Sequence, residues 1–146
     1  MYKETTIEAY LCFFKNEPHW DFPLETVTGR LGVTPTNLEK IGDWANQKRQ
    51  YVTTEWRYST GLIETWDFEM VIGKIVDTFR DKVEVINELK RELGIETALR
   101  VVTHVVNEDS PSYVIPIDVM KFAISIDNFI DIDQYIYVFL DEETDS

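Results

Sequence analysis

Three aspartates stand close together in DNFIDIDQYIYVF, residues 127–139. Asp131 and Asp133 are two residues apart, so on a strand they share a face with Cα atoms roughly 6.5–7 Å apart. Paired carboxylates at that distance can perform general acid-base chemistry, or hold a water or a metal ion. Alternating polar residues are equally the mark of a solvated strand face. Asp127 precedes the apolar run and reads as a turn residue, which removes it from the group. His104 is the one histidine on a predicted strand, and with the two aspartates it outlines a small hydrolase or a metal-assisted enzyme. His19, beside Trp20, reads as a turn residue. Two histidines and one cysteine are too few for a His-rich or thiolate zinc site. There is no glycine-rich phosphate loop, no two-histidine metalloprotease spacing and no Gly-x-Ser-x-Gly elbow. The sequence therefore names no catalytic residue, no metal ligand and no cofactor.

The elements that must position these residues follow from periodicity. Residues 5–14, TTIEAYLCFF, alternate as a strand, with Ile7, Ala9, Leu11 and Phe13 on one side and Glu8, Tyr10, Cys12 and Phe14 on the other. Leu24, Val27 and Leu31 recur at helical spacing, with Pro23 suited to the start and Gly32 to the stop. TPTNLEKIG predicts another turn of helix, because Thr36 and Glu39 have capping-box spacing. Residues 43–50 are polar and aperiodic, a loop. Residues 51–59 predict a strand with Val52, Trp56 and Tyr58 on one side.

The next segment, from about Asp67 to Leu93, predicts one long helix. Phe68, Ile72, Ile75, Phe79, Val83, Ile86, Leu89 and Leu93 recur at three- and four-residue steps, Asp67 can cap the start, and Gly94 ends it. Such a helix would be roughly 40 Å long. Residues 97–106 predict a third strand, with Leu99, Val101 and Val105 opposite Ala98, Arg100, Val102, His104 and Val106. A helix follows over PIDVMKFAISI, in which Ile117, Met120 and Ile124 share a face. The closing strand, 129–140, sets Ile130, Ile132, Ile136, Val138 and Leu140 as a core face against Phe129, Asp131, Asp133, Tyr135, Tyr137 and Phe139. DEETDS, 141–146, reads as an acidic tail.

These elements predict one α+β domain over residues 1–140: a two-layer sandwich in the order β-α-β-α-β-α-β. Its four-stranded, mainly antiparallel sheet would have helices on one face. Aligning Pro23 with Pro116 superposes Leu24 on Ile117, Val27 on Met120 and Leu31 on Ile124, the pattern of an internal β-α-β duplication. If helices cover one sheet face, the other collects Glu8, Tyr10, Arg100, His104, Asp131, Asp133, Tyr135 and Tyr137, with Glu55 and Arg57 alongside. Carboxylates, tyrosines, arginine and histidine form a recognition mixture rather than a core mixture. Trp44, Trp56 and Trp66 bracket the second strand and outline either a satellite core or an aromatic ligand cage.

Composition narrows the partners. Twenty-seven acidic residues against fourteen basic ones give a net charge of −13, which repels nucleic acid and anionic membranes alike. A basic protein or a cationic ligand is the electrostatically favoured partner, and acidity that serves solubility alone is the plainer reading. No apolar run is long enough to cross a bilayer, the N-terminal residues lack a secretory pattern, and the lone Cys12 suits the reducing cytoplasm as a small buried hydrophobe. Nothing in the sequence sets an oligomeric state.

The order of LGVTPT (31–36), KIGD (40–43), Arg49, EWRYST (55–60), LGI (93–95), PSYVIPIDVMKFAISID (111–127) and IDIDQYIYV (130–138) resembles the bacterial domain of unknown function 4279 family. The resemblance spans nearly the whole chain. It implies a small intracellular α+β protein of β-α-β style with no catalytic residues to carry over. It also implies a candidate role as an immunity protein that neutralises a toxin. Asp133 and Tyr135 match the family's Asp-x-Tyr ending, and Gly42, Asp43 and Trp56 match its middle. The leading expectation is thus a non-enzymatic protein-binding domain, and the alternative is the carboxylate-histidine hydrolase.

Overall fold

The computed structural model describes residues 4–16 and 20–138. His19, residues 139–140 of the expected last strand and the acidic tail lie outside the described residues. The chain runs β1 (Thr6–Phe14), α1 (Leu24–Leu31), β2 (Asn37–Glu39), β3 (Glu55–Ser59), β4 (Ile63–Glu64) and α2 (Phe68–Phe79). A 3-10 turn (Arg80–Lys82) then leads to α3 (Val83–Leu93), β5 (Glu96–Val106), α4 (Ile117–Ser125) and β6 (Phe129–Tyr137). No helix among the described residues is long and apolar enough to cross a membrane.

The architecture is α+β, as the periodicities predict, but the sheet differs from the expected one. Among the described residues it has six strands in the order β2-β3-β1-β5-β6, with β4 also paired to β1. It is mixed: β5 and β6 run parallel, and the other pairs are antiparallel. The two added strands, β2 and β4, have only three and two residues, too few to display a period. β4 continues β3 along β1 after a bulge. Ser59 faces Tyr10 and Ile63 faces Ile7, so three residues on one side oppose two on the other. Gly61, at φ +74°, accommodates the extra residue.

Alternation in β1 buries Ile7, Ala9, Leu11 and Phe13 completely, and all four join one core with the helices. α1 buries Leu24, Val27 and Leu31 and ends at Gly32 in the left-handed conformation. α2 starts where Asp67 accepts a hydrogen bond from the Met70 amide, and it buries Phe68, Val71, Ile72, Ile75, Val76 and Phe79. The helices thus cover one face of the sheet, and burial of this apolar surface drives the fold.

Four further expectations fail for tertiary reasons. Thr36 caps no helix: its amide and hydroxyl both donate to the Arg57 carbonyl, its hydroxyl accepts from the Ser59 amide, and Asn37–Glu39 join the sheet instead. The strand expected from residue 51 starts at Glu55, because Tyr51 pairs with the 42–43 turn and leaves Val52 exposed. The expected single long helix breaks at Arg80–Lys82. Phe79 is fixed edge-on against Trp56 and Tyr58, at 6.4 and 5.5 Å between ring centroids, while the three charged residues after it bury nothing. The duplication also fails. β1 and β3 are antiparallel where β5 and β6 are parallel. Ile117, Met120 and Ile124 do share a face, but it is the outer one. α4 buries Val119, Phe122 and Ala123 instead.

β6 departs furthest from its reading. Of its expected core face, Ile130 packs against the core, whereas Ile132, Ile136 and Val138 are exposed. The strand is at the edge of the sheet, where packing from above is incomplete. Asp127, at φ +50°, is the turn residue its sequence position predicts.

Candidate functional site

On the side of the sheet away from the helices, the register sets the chemistry-bearing residues in rows. Directly paired residues on neighbouring strands point to the same face. Tyr10 pairs with Ser59 on one side and with Arg100 on the other, and Arg100 pairs with Asp131. The next row in one direction is Arg57, Cys12, Ala98 and Phe129. In the other direction come Glu8, Val102 and Asp133, then Thr6, His104 and Tyr135, then Val106 and Tyr137. All eight residues expected on this face, Glu8, Tyr10, Arg100, His104, Asp131, Asp133, Tyr135 and Tyr137, are therefore on it together.

The two arginines lie across the sheet. Arg57 stacks over the Tyr10 ring at 4.1 Å and binds Glu55 at 2.9 Å. Arg100 lies over the Phe129 ring at 5.5 Å and binds Asp131 at 2.6 Å. Each cation is thus matched to a carboxylate of the same face. Beneath them sits a small apolar strip of Tyr10, Cys12 and Ala98, with Phe14 and Val102 against it. Burial pushes the Cys12 thiol up to about 11, with Glu55 adding to the shift and Arg100 opposing it. Burial also raises the Tyr10 hydroxyl. Cys12 is the small buried hydrophobe its strand position predicts.

His104 stacks against Tyr135 and Tyr137, at 5.5 and 5.8 Å between ring centroids, and its Nδ1 meets the Tyr137 hydroxyl at 3.2 Å. Burial lowers its pKa, with Glu8 partly offsetting the effect. The Asp133 carboxylate accepts from the Tyr135 hydroxyl at 3.4 Å, and its charge raises that hydroxyl. The unfolded chain therefore takes up a proton at His104 more readily than the folded one. Stability is expected to fall as pH drops through about 6.5. The slope cannot exceed about 1.4 kcal/mol per pH unit, the limit for one proton. Urea titrations at pH 7 and pH 5 should show wild type losing more stability than His104→Gln; equal losses would contradict it.

His104 shares its face with both aspartates, but the three are strung along the strands. Asp133 is one row from His104 and Asp131 is two rows away, about 13 Å at strand spacing. Among the described residues, no group of three or more His, Cys, Asp or Glu is placed to hold a metal ion. The tryptophans separate as well: Trp56 is fully buried, while Trp44 and Trp66 are exposed, so they form neither a shared satellite core nor a cage.

One part of the face was not legible in the sequence. Beside the bulge, Glu8, Arg57, Ser59 and Asn37 are among the residues that line an open cleft of about 470 Å³. The Ser59 hydroxyl donates to Glu8 and accepts from the Gly61 amide. Ser59 joins the face through the pairing of β3 with β1, in step with Glu55 and Arg57, whereas Asn37 enters it only through the pairing of β2 with β3; Gly61 is the one local sign of the bulge.

A mixed sheet with a helix-covered face and an open polar face defines a small α+β sandwich domain. Within that class, the chain belongs to the DUF4279 family, a domain of unknown function, whose family model matches residues 4–137. No curated protein and no solved structure matches the chain.

Proposed function

We propose that this is a non-enzymatic cytoplasmic protein-binding domain that meets a basic protein with its open sheet face, in the manner of an immunity protein against a toxin. The observation that carries this reading is how charge is disposed on the face. Arg57 and Arg100 are each engaged by a neighbouring carboxylate. By strand pairing the face carries Glu8, Glu39, Glu55, Glu64, Glu96, Asp131 and Asp133 against Arg57 and Arg100, seven negative charges minus two positive ones, a formal −5. The whole chain carries −13. Exposed Tyr135 adds the amphipathic ring favoured at binding surfaces.

Tagged protein incubated with extract of its native host should retain a basic protein at low salt and release it as salt rises. With that protein purified, Asp133→Lys should slow association about tenfold at low ionic strength, and the difference should shrink with added salt. Retention of no specific protein, or an association rate untouched by Asp133→Lys, would overturn the proposal.

A further inference from the structure

The outer edge of β6 carries a pattern that its neighbour β5 does not use. The Tyr137 carbonyl accepts from the Asn107 amide at 2.9 Å, so the odd-numbered residues of β6 turn their backbone groups toward β5. Strand alternation turns the backbone groups of Ile130, Ile132, Gln134 and Ile136 outward. The side chains along this edge are apolar except for Gln134, whose amide donates to the Ser110 and Tyr113 hydroxyls; Ile130 is half-buried, and Ile132, Ile136 and Val138 are exposed, the last two at 61% and 59%. The strand has no proline and no lysine, residues that commonly blunt a free edge.

We propose that this edge is a homodimer interface, with β6 pairing antiparallel to β6 of a second copy about a two-fold axis at Gln134. The strand is self-complementary about that residue. Ile132 then meets Ile136 of the second copy, and Ile130 meets Val138. On the opposite face Asp133 meets Tyr135, and Asp131 meets Tyr137, each pairing a carboxylate with a hydroxyl donor. Gln134 exchanges both backbone hydrogen bonds with its own copy, as the outward direction of its amide and carbonyl requires.

Neighbouring axes lack this match. An axis at Asp133 sets Asp133 against itself, and one at Ile132 sets Asp131 against Asp133; like charges directly opposed destabilise a pair. An axis at Tyr135 sets Gln134 against Ile136. Only the Gln134 axis matches apolar with apolar and acid with donor throughout.

The helix side supports the same occupant. Ile117, Met120 and Ile124 of α4 are exposed and line an apolar groove of about 320 Å³. A two-fold axis through the sheet places both α4 helices on the same side of the joined sheet, flanking the seam. Single apolar side chains on a surface are ordinary, whereas several on one edge strand and on the helix that precedes it fit an interface. The dimer would also join the two open faces into one surface. It is independent of what that surface binds.

Two chains of −13 repel, so the dimer should tighten as salt rises, the opposite of the salt response expected for a basic partner. Sedimentation of the full chain over a concentration series should show a species of twice the monomer mass, more abundant at high salt. Ile136→Lys, at an exposed position, should keep the native circular dichroism and weaken dimerisation at least about tenfold, because a charge is set against Ile132. Asp133→Cys mixed with Tyr135→Cys should cross-link under mild oxidation, and neither alone should, since residue 133 meets residue 135 of the other copy. A monomer at every concentration would overturn the proposal, as would a dimer indifferent to Ile136→Lys. Cross-linking of Asp133→Cys alone would overturn the register.

Discussion

Trp56→Ala is expected to cost about 3–5 kcal/mol, the range for removing a buried aromatic from a core. Trp56 is fully buried. Its ring meets Phe13 of β1 edge-on at 5.3 Å and Phe79 of α2 at 6.4 Å. Its indole nitrogen donates to the Thr28 hydroxyl of α1 at 2.9 Å. One side chain thus joins the sheet to two helices, and little around it can collapse into the space. Against a typical total stability of about 5–15 kcal/mol, the loss is a large fraction. Urea unfolding should show a much lower midpoint with an unchanged slope. Trp44→Ala is the matched control: Trp44 is 66% exposed, and its loss should change stability by no more than about 0.5 kcal/mol. A Trp56→Ala cost below about 1 kcal/mol would mean that the β3–α1–α2 junction is not where the core is held.

The same pair shows where sequence reading stops. Trp44, Trp56 and Trp66 are indistinguishable by type and closeness in the chain, yet only the one on a paired strand is buried. Features carried by local patterns were legible. The alternation of β1, the helical spacing of Leu24, Val27 and Leu31, the cap at Asp67 and the stop at Gly94 each need only a few neighbouring residues. Features that depend on distant partners were not. Thr36–Glu39 has helix-start chemistry, but the Arg57 and Ser59 backbones compete for Thr36 and win.

The candidate site divides in the same way. Period two alone put Asp131, Asp133, Tyr135 and Tyr137 on one side of their strand, and Arg100 and His104 on one side of theirs. That Arg100 would face Asp131, and His104 face Tyr135, depends on a parallel register between β5 and β6. No local signal encodes that register. The alternation of β6 is also legible, yet the meaning of its apolar side depends on where the strand lies in the sheet. A buried strand and an edge strand can share a pattern, and only the sheet order tells which one solvent reaches.

Cys12 offers a direct probe of how firmly the open face is closed over its apolar strip. Its thiol is buried, between Tyr10 and Ala98 in one cluster, and burial pushes its pKa up to about 11. At pH 8 an ordinary thiol near 8.5 is roughly one quarter thiolate, whereas one near 11 is about a thousandth, a difference of a few hundredfold. The greater basicity of such a thiolate returns about tenfold in nucleophilicity. Ionisation therefore slows reaction by a few tens of times, and the closed strip excludes the reagent on top of that. Reaction of Cys12 with an aromatic disulfide at pH 8 should be at least about a hundredfold slower in native protein than in urea-unfolded chain. Arg57→Ala, which removes the guanidinium stacked over Tyr10, should raise the native rate without restoring the unfolded one. A native rate within about tenfold of the unfolded rate would mean that the strip opens readily. The arginines would then not be the lid that their positions describe.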